Sequence, residues 1–348
     1  MSLETFRERI LKGGSLRIRG GGSKDFYGGP LAGEVLEVAG HRGIVSYEPT
    51  ELVITARAGT PLSELSHVLA ERGQWLAFEP PAFGGPATLG GAVASGLSGP
   101  GRASHGALRD FVLGVKVMDG EGRELTFGGQ VMKNVAGFDV SRLMAGSIGT
   151  LGLILEVSLK VLPLPVAQAT VRFELPEGPA LETLNRWAAQ PLPVTATAWE
   201  EGLLTVRLAG AEAAVRSACD TLGGERVPEA EATAHWLGLR DQTRAFFAGD
   251  APLWRLAVPS ITPPLDLPGA TLIEWGGAQR WLRGEQIAAG IRDAARRAGG
   301  HATVFRGGDR AAGVFTPLPG PLDVIQRRLK AVFDPRAVFN PGRLLPDL

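Results

Sequence analysis

Residues 87–96 read Ala87-Thr-Leu-Gly-Gly-Ala-Val-Ala-Ser-Gly96. Upstream stands Arg19-Gly-Gly-Gly-Ser-Lys24, and downstream Gly146-Ser-Ile-Gly-Thr-Leu-Gly152. Each segment follows or joins strand-like residues. Adjacent glycines accept positive φ, carry no Cβ, and let backbone N–H groups face an anion. One such segment by itself reads as a tight turn. Three of them in one region, with arginines nearby, favour a phosphorylated cofactor. The sequence holds no G-x-G-x-x-G and no G-x-x-x-x-G-K-S/T, so the Rossmann fingerprint and the P-loop are both absent. What remains is a dinucleotide held by several separated loops.

Outward from these loops, short apolar runs between glycine turns read as strands: Leu16–Arg19, Gly43–Tyr47, Leu52–Arg57, Leu113–Asp119, Glu124–Phe127 and Gly152–Val161. Residues 61–73 read as a helix with Thr60 as N-cap, Pro61 at the first position and Gly73 as the stop. Residues 141–146 form a shorter helical segment. A boundary falls at Leu162-Pro-Leu-Pro-Val-Ala-Gln168. Beyond it come a strand (169–175), a helix (179–190), a hairpin around Glu201-Gly202 and a helix (211–222). That order predicts an antiparallel α+β layer. Further helices are expected at 229–248, 285–298 and 321–333, and strands at 253–258, 271–275 and 302–306.

Composition narrows the function. The chain has 348 residues, enough for two domains, with 36 basic against 36 acidic side chains. No basic excess drives nucleic-acid binding. No 18-residue apolar run or signal-peptide core is present, so no membrane span is expected and the cytoplasm is the default location. The single cysteine, Cys219, excludes an intrachain disulfide and a Cys-ligated iron–sulfur cluster built by this chain alone. The five histidines show no paired metal-ligand spacing, and no metal is expected.

The order of segments RGGGSK, YEPTELVITARAGTPLSEL, FEPP, TLGGAVASGLSGPGR, GALRDFVLGVKVMDGEGRELTFGG and KNVAGFDVSRLMAGSIGTLGLILEVSLKVLP resembles the vanillyl-alcohol-oxidase-type, or PCMH-type, FAD-binding family. With LWRLAVP, EWGGAQRW, GGHATVFR and FDPRAVFNPGR, the resemblance extends over almost the whole chain. Within the family it is similar to the E-type FAD-binding subunits of bacterial glycolate oxidase (glycolate dehydrogenase). The implied fold is α+β: a two-part FAD-binding domain (1–165), a smaller antiparallel α+β cap (166–315), and a C-terminal segment (316–348) returning to the FAD domain.

The resemblance implies a residue-level site. Arg19, Gly20, Gly21, Gly22, Ser23 and Lys24 would wrap the FAD diphosphate. Gly90, Gly91, Ser95 and Gly96 would approach the diphosphate and flavin. Gly106, Arg109 and Asp110 would shape the following turn. Gly149, Thr150, Gly152 and Ile154 would hold the adenine–ribose end, and Lys133-Asn134 resembles the ribose-side turn. Glu79 and Pro80 occupy the usual flavin-facing turn, and Asn340 and Arg343 belong to the tail at the flavin rim. Covalently flavinylated relatives carry a His where this chain has Ser23, so non-covalent FAD is expected.

The implied chemistry is oxidation of a small 2-hydroxy acid, glycolate to glyoxylate. Hydride goes to FAD, and electrons pass to an F-type iron–sulfur subunit beside a D-type flavoprotein subunit. Any membrane association would come through those partners. A carboxylate clamp and a base are needed. Arg255, on an apolar strand, fits the first and His301 the second. The histidine–acid metal cluster of related dehydrogenases has no counterpart here. Two alternatives therefore stay open: a non-catalytic structural or electron-transfer subunit whose sister flavoprotein oxidises the substrate, and a free-standing FAD-dependent 2-hydroxy-acid dehydrogenase. Trp275, Trp281 and Cys219 read by default as core residues.

Overall fold

The computed structural model describes residues 2–129, 139–285, 287–310 and 313–348; the Lys133-Asn134 turn lies outside them. The chain divides into two compact units. The first comprises Met1–Ser98, Ala107–Pro163 and Pro317–Leu348; the second comprises Gly99–Gly106 and Leu164–Thr316.

In the first unit, β1 (Leu16–Arg19) and β2 (Glu34–Glu37) form a parallel pair. Strands β3 (Ile44–Glu48), β4 (Val53–Arg57), β6 (Val112–Met118), β7 (Glu124–Gly128) and β8 (Leu153–Lys160) make an antiparallel sheet in the order β3-β4-β8-β6-β7. The short β5 (Gln74–Trp75) and β9 (Leu162–Pro163) pair separately. The opening segment forms helix Leu3–Lys12, capped by the Ser2 hydroxyl on Thr5 N–H. Phe6 and Ile10 lie one turn apart and are fully buried with Leu16, Leu36 and Phe339. Each side chain contributes about 1.5–3 kcal/mol by leaving water, which fastens the helix to the β1–β2 pair.

Two local readings change. Helix Leu62–Ala70 begins after Pro61 with no side-chain cap. The Thr60 hydroxyl instead accepts from Gly43 N–H at 2.9 Å, tying the helix start to the residue just before β3. The central glycine-rich segment is not all loop: Leu89–Ser95 is helical, with Thr88 accepting from Gly91 N–H at 3.3 Å and Gly96 left-handed at its end.

The second unit is built on an eight-stranded antiparallel sheet. Its strands are β10 (Ala167–Glu174), β11 (Val194–Glu200), β12 (Leu203–Gly210), β13 (Glu225–Arg226), β14 (Leu253–Ala257), β15 (Ala270–Glu274), β16 (Gln279–Arg283) and β17 (His301–Arg306). They run in the order β13-β10-β12-β11-β15-β16-β14-β17. Glu201 and Gly202 both have positive φ, the backbone that a two-residue β11–β12 hairpin needs. Helices Glu177–Ala188 and Glu212–Leu222 place Ala180, Leu184, Val215 and Cys219 against Val171, Leu204, Val206 and Leu208. Helix Ala288–Arg297 packs Ile291 and Ala295 on Trp254, Leu256, Leu282, Ala302 and Val304. Cys219 is a buried thiol, as its helix face suggested.

The helix expected over 229–248 stops at Asp241, where Gln242 turns left-handed. Phe246 and Phe247 then enter the core from a short 3-10 turn. Strand β16 begins inside the WGGAQRW segment, where neighbouring glycines conceal its alternation.

Candidate functional site

The glycine segments of the first unit converge on one cleft. It encloses about 820 Å³ with its open mouth included. Of the residues expected at the cofactor, Arg19, Gly20, Gly21, Gly22, Ser23, Lys24, Gly90, Gly91, Ser95, Gly149, Gly152, Ile154, Asn340 and Arg343 line it. Glycine is required at several of these positions by neighbouring chain. A Cβ on Gly21 would sit 1.5 Å from Pro86 O, and one on Gly90 2.7 Å from Ala58 Cβ.

The C-terminal tail holds the loops in place. The Asn340 side chain accepts from Ile18 N–H at 2.8 Å and donates to Ile148 O at 2.6 Å. It thereby bridges the strand entering the first glycine loop to the third loop. The Arg343 guanidinium donates to the carbonyls of Asp25, Tyr27 and Gly29 and closes the turn after the first loop. Beneath them Lys330, buried, donates to Thr150 O at 2.8 Å, Phe339 O at 3.0 Å and Asp334 at 2.6 Å. Asn340 and Arg343 thus position the loops through hydrogen bonds to protein groups.

Other expected residues stand apart from the cleft lining. Thr150 is buried, its hydroxyl donating to Ser147 O at 2.8 Å. Gly96 closes the helix at positive φ. Glu79 has φ +50 in the turn that continues into Pro80. Gly106, in the second unit, ends a one-turn helix, while the Asp110 carboxylate accepts from Ala107 N–H at 2.9 Å and Arg109 is exposed. The lining adds residues that the motif reading passed over: Arg17, Ile18, Val38, Ala58, Ala94 and Ile148. An alternating β1 ending in a glycine run was the available signal for Arg17.

An FAD diphosphate needs several donors, and the rings need apolar walls. Both are present. The amides of Gly20, Gly21, Gly22 and Ser23 make no backbone hydrogen bond among the described residues. Arg17 Nε, buried at the same cleft, has no partner among them either. Ile18, Val38, Ala58, Ala94, Ile148 and Ile154 supply apolar surface. The residues fit the group.

In the second unit Arg255 lies on β14, partly buried, with its guanidinium 5.6 Å from the Phe305 ring centroid. His301 opens β17, opposite Ala257 of β14, so it shares a sheet face with Arg255 two residues away. His301 lines a separate cleft with Arg102, Ala257, Pro259, Trp275 and Gly300; Arg255 is not among its walls. Its pKa falls below the ordinary histidine value, chiefly through desolvation and then through Arg255 and Arg102. Trp281 is core: its indole N–H donates to Glu274 at 2.6 Å and its ring meets Phe247 and Phe305 edge-on. Among the described residues no helix is long and apolar enough to cross a membrane.

Fold and cleft define a flavoprotein of the PCMH-type FAD-binding class. A family model described as an FAD binding domain matches residues 10–128. Alkyldihydroxyacetonephosphate synthase superposes with a TM-score of 0.67 at 16% identity, covering 97% of this chain and 74% of that one, which shows the shared fold. The chain is 48% identical to glycolate oxidase subunit GlcE of Escherichia coli (strain K12), over 99% of its own length and 97% of the relative's. Glycolate oxidase subunit GlcD of Bacillus subtilis (strain 168) is 28% identical over 44% of this chain and 33% of that protein. This chain belongs to the GlcE family of glycolate oxidase subunits and carries an FAD-binding domain.

Proposed function

We propose that this chain is the FAD-binding subunit of a complex that oxidises glycolate to glyoxylate and passes the electrons to an iron–sulfur partner subunit, with a D-type flavoprotein as sister. The observation that carries this reading is the end-to-end match to GlcE at 48% identity, supported by a cleft whose loop amides and Arg17 suit a diphosphate. The first glycine loop, Arg17 and Lys24 would hold the diphosphate, and Ile18, Val38 and Ile154 the rings. Ser23 at the end of that loop leaves the cofactor non-covalent.

Bound FAD supplies a two-electron acceptor for the hydride that leaves the substrate Cα. The hydroxyl proton then needs a base that is neutral near pH 7. His301 suits that role, because desolvation and the Arg255 and Arg102 cations hold its pKa below the ordinary value. Arg255 acts through His301 by this field. With a single cysteine the chain cannot by itself supply the ligands of a Cys-ligated iron–sulfur cluster, so the electrons would pass onward to a partner.

The test is an anaerobic absorbance spectrum of the FAD-loaded chain, purified alone, before and after glycolate. Bleaching of the flavin band is expected. A band that dithionite bleaches and glycolate leaves unchanged would move the oxidation to the sister subunit. Flavin should also leave the protein on acid precipitation.

A further inference from the structure

We propose that the outward face of helix Gly320–Phe333, in the first unit, is a docking surface for a partner subunit: a different folded protein whose own surface offers an apolar groove with a carboxylate in it. That such a partner exists rests on the reading above; the surface and its chemistry rest on the helix.

Three observations carry it. First, the helix is fastened by its other side. Phe333 is buried, its ring centroid 6.0 Å from that of Phe127, and Leu329 packs against the same core. Lys330 donates to the carbonyls of Thr150 and Phe339. The outward face is therefore presented on a fixed element, and a partner does not have to order it. Second, that face is apolar where a solvent face is polar. Leu322, Val324, Ile325 and Val332 are 52, 46, 53 and 69% exposed. Among the described residues, every other helix of eight or more residues exposes at most one large aliphatic side chain: Leu11 on Leu3–Lys12 and Leu237 on Glu229–Asp241. Exposed aliphatic side chains gathered on one face mark an interaction site. Third, a single charge lies inside the patch. The helix-surface neighbours of Arg328 stand three and four residues away, and all four are apolar: Val324, Ile325, Ala331 and Val332. Arg328 is exposed and makes no ion pair or hydrogen bond among the described residues, whereas Arg327 pairs with Asp323 and Asp347. In an arginine ringed by aliphatic side chains, the ring excludes water and the fork takes one carboxylate.

The charge also selects the occupant. The face holds no acid, so two copies paired about a two-fold axis through it would set guanidinium against guanidinium. A lipid surface calls for several free cations along the border of the apolar face, and the bordering Arg327 is engaged by two carboxylates. A helix about 21 Å long at 1.5 Å per residue fits a groove as the centre of a larger interface.

The test co-expresses the full-length chain with the D-type and F-type subunits, isolates the complex through a tag on the D-type subunit, and reads its dissociation by mass photometry across a dilution series. Ile325→Gln/Val332→Gln should weaken assembly about 100-fold and Arg328→Glu about 10- to 100-fold, with FAD content and melting temperature of the separate chain unchanged. Arg328→Lys, which keeps the charge and loses the fork, should fall between wild type and Arg328→Glu. Wild-type affinity in either the double variant or Arg328→Glu overturns the surface and leaves the subunit reading intact. A wild-type chain that does not assemble defeats both. Assembly that depends on this face, without glycolate turnover, defeats the glycolate oxidase reading and leaves the surface standing. Light scattering of the chain alone and sedimentation with phosphatidylethanolamine–phosphatidylglycerol vesicles test the other occupants. Dimerisation or vesicle binding that is lost in Ile325→Gln/Val332→Gln overturns the partner subunit.

Discussion

The two units build their clefts from different material. In the first unit the walls are mostly backbone: three glycine segments brought together by side chains of the tail. In the second, side chains from four separate segments meet: Arg102, Ala257, Trp275 and His301. A backbone-built site writes itself into consecutive residues, because each close approach forbids a Cβ. A side-chain-built site leaves one ordinary residue per segment. The first kind tolerates little change in its glycines; the second can be altered one contact at a time.

The largest effect is expected where backbone meets backbone. Gly21→Ala would force a Cβ to within 1.5 Å of the Pro86 carbonyl oxygen, and no side-chain rotation relieves it. The loop must move, and with it the amides proposed to hold the diphosphate. FAD affinity should fall about 100-fold or more, about 2.7 kcal/mol. The check is the 450-to-280 nm absorbance ratio of purified protein across a dilution series. Gly290→Ala is the control. It lies in helix Ala288–Arg297, outside the cleft lining, and an added Cβ would meet nothing within 4 Å, so flavin should remain. Equal flavin loss in both variants would break the distinction between the backbone-built cleft and the rest of the chain.

The next effect sharpens the role of the tail. Lys330 and Asp334 form a buried ion pair, with Asp334 also accepting from Val338 and Phe339 N–H at 2.9 and 2.8 Å. Removing one partner leaves the other charge uncompensated, at a cost of about 3–5 kcal/mol. Lys330→Met should destabilise the first unit by that amount in urea unfolding, and the double change Lys330→Met/Asp334→Asn by less than the two single changes added together. Strict additivity would show that the tail is held by packing instead.

This contrast explains what the sequence could disclose. The strands around the glycine loops were legible from apolar runs and turns, and fourteen of the residues expected at the cofactor do line one cleft. Thr60 was misread as a cap because a hydroxyl before Pro61 has that local signature, while its actual partner, Gly43, lies 17 residues back. The functions of Asn340 and Lys330 were also hidden, since their partners stand 322 and 180 residues away. Arg102 stood within a quoted motif, yet nothing local pairs it with Trp275. The stack forms only when the fold brings the two segments together. Arg255 attracted notice as a charge on an apolar strand, and the fold turns it toward Phe305.

The smallest effect concerns a half-buried histidine in a polar cluster of the second unit, outside the cleft lined by His301. His235 stands on helix Glu229–Asp241, and Arg244 Nη1 lies 2.7 Å from its Nδ1. A guanidinium only donates, so Nδ1 accepts and the imidazole proton sits on Nε2. Arg244 also bonds Glu200. Desolvation, then Arg244 and Arg172, lower the His235 pKa from 6.5 to about 3. In the unfolded chain the ring takes a proton below about pH 6.5, whereas the folded ring stays neutral until about pH 3. Stability is therefore lost as pH falls through that window, by up to about 1.4 kcal/mol per pH unit. Gln at this position can still accept from Arg244 and does not titrate. His235→Gln should cost little at pH 7 and should flatten the decline in urea-derived stability between pH 6 and pH 4. The Arg244–Glu200 pair remains in both proteins, so its own acid titration cancels from the difference between the slopes. Parallel slopes for wild type and variant would mean that His235 is protonated in the folded chain, and the donor direction assigned to Arg244 would fall with it.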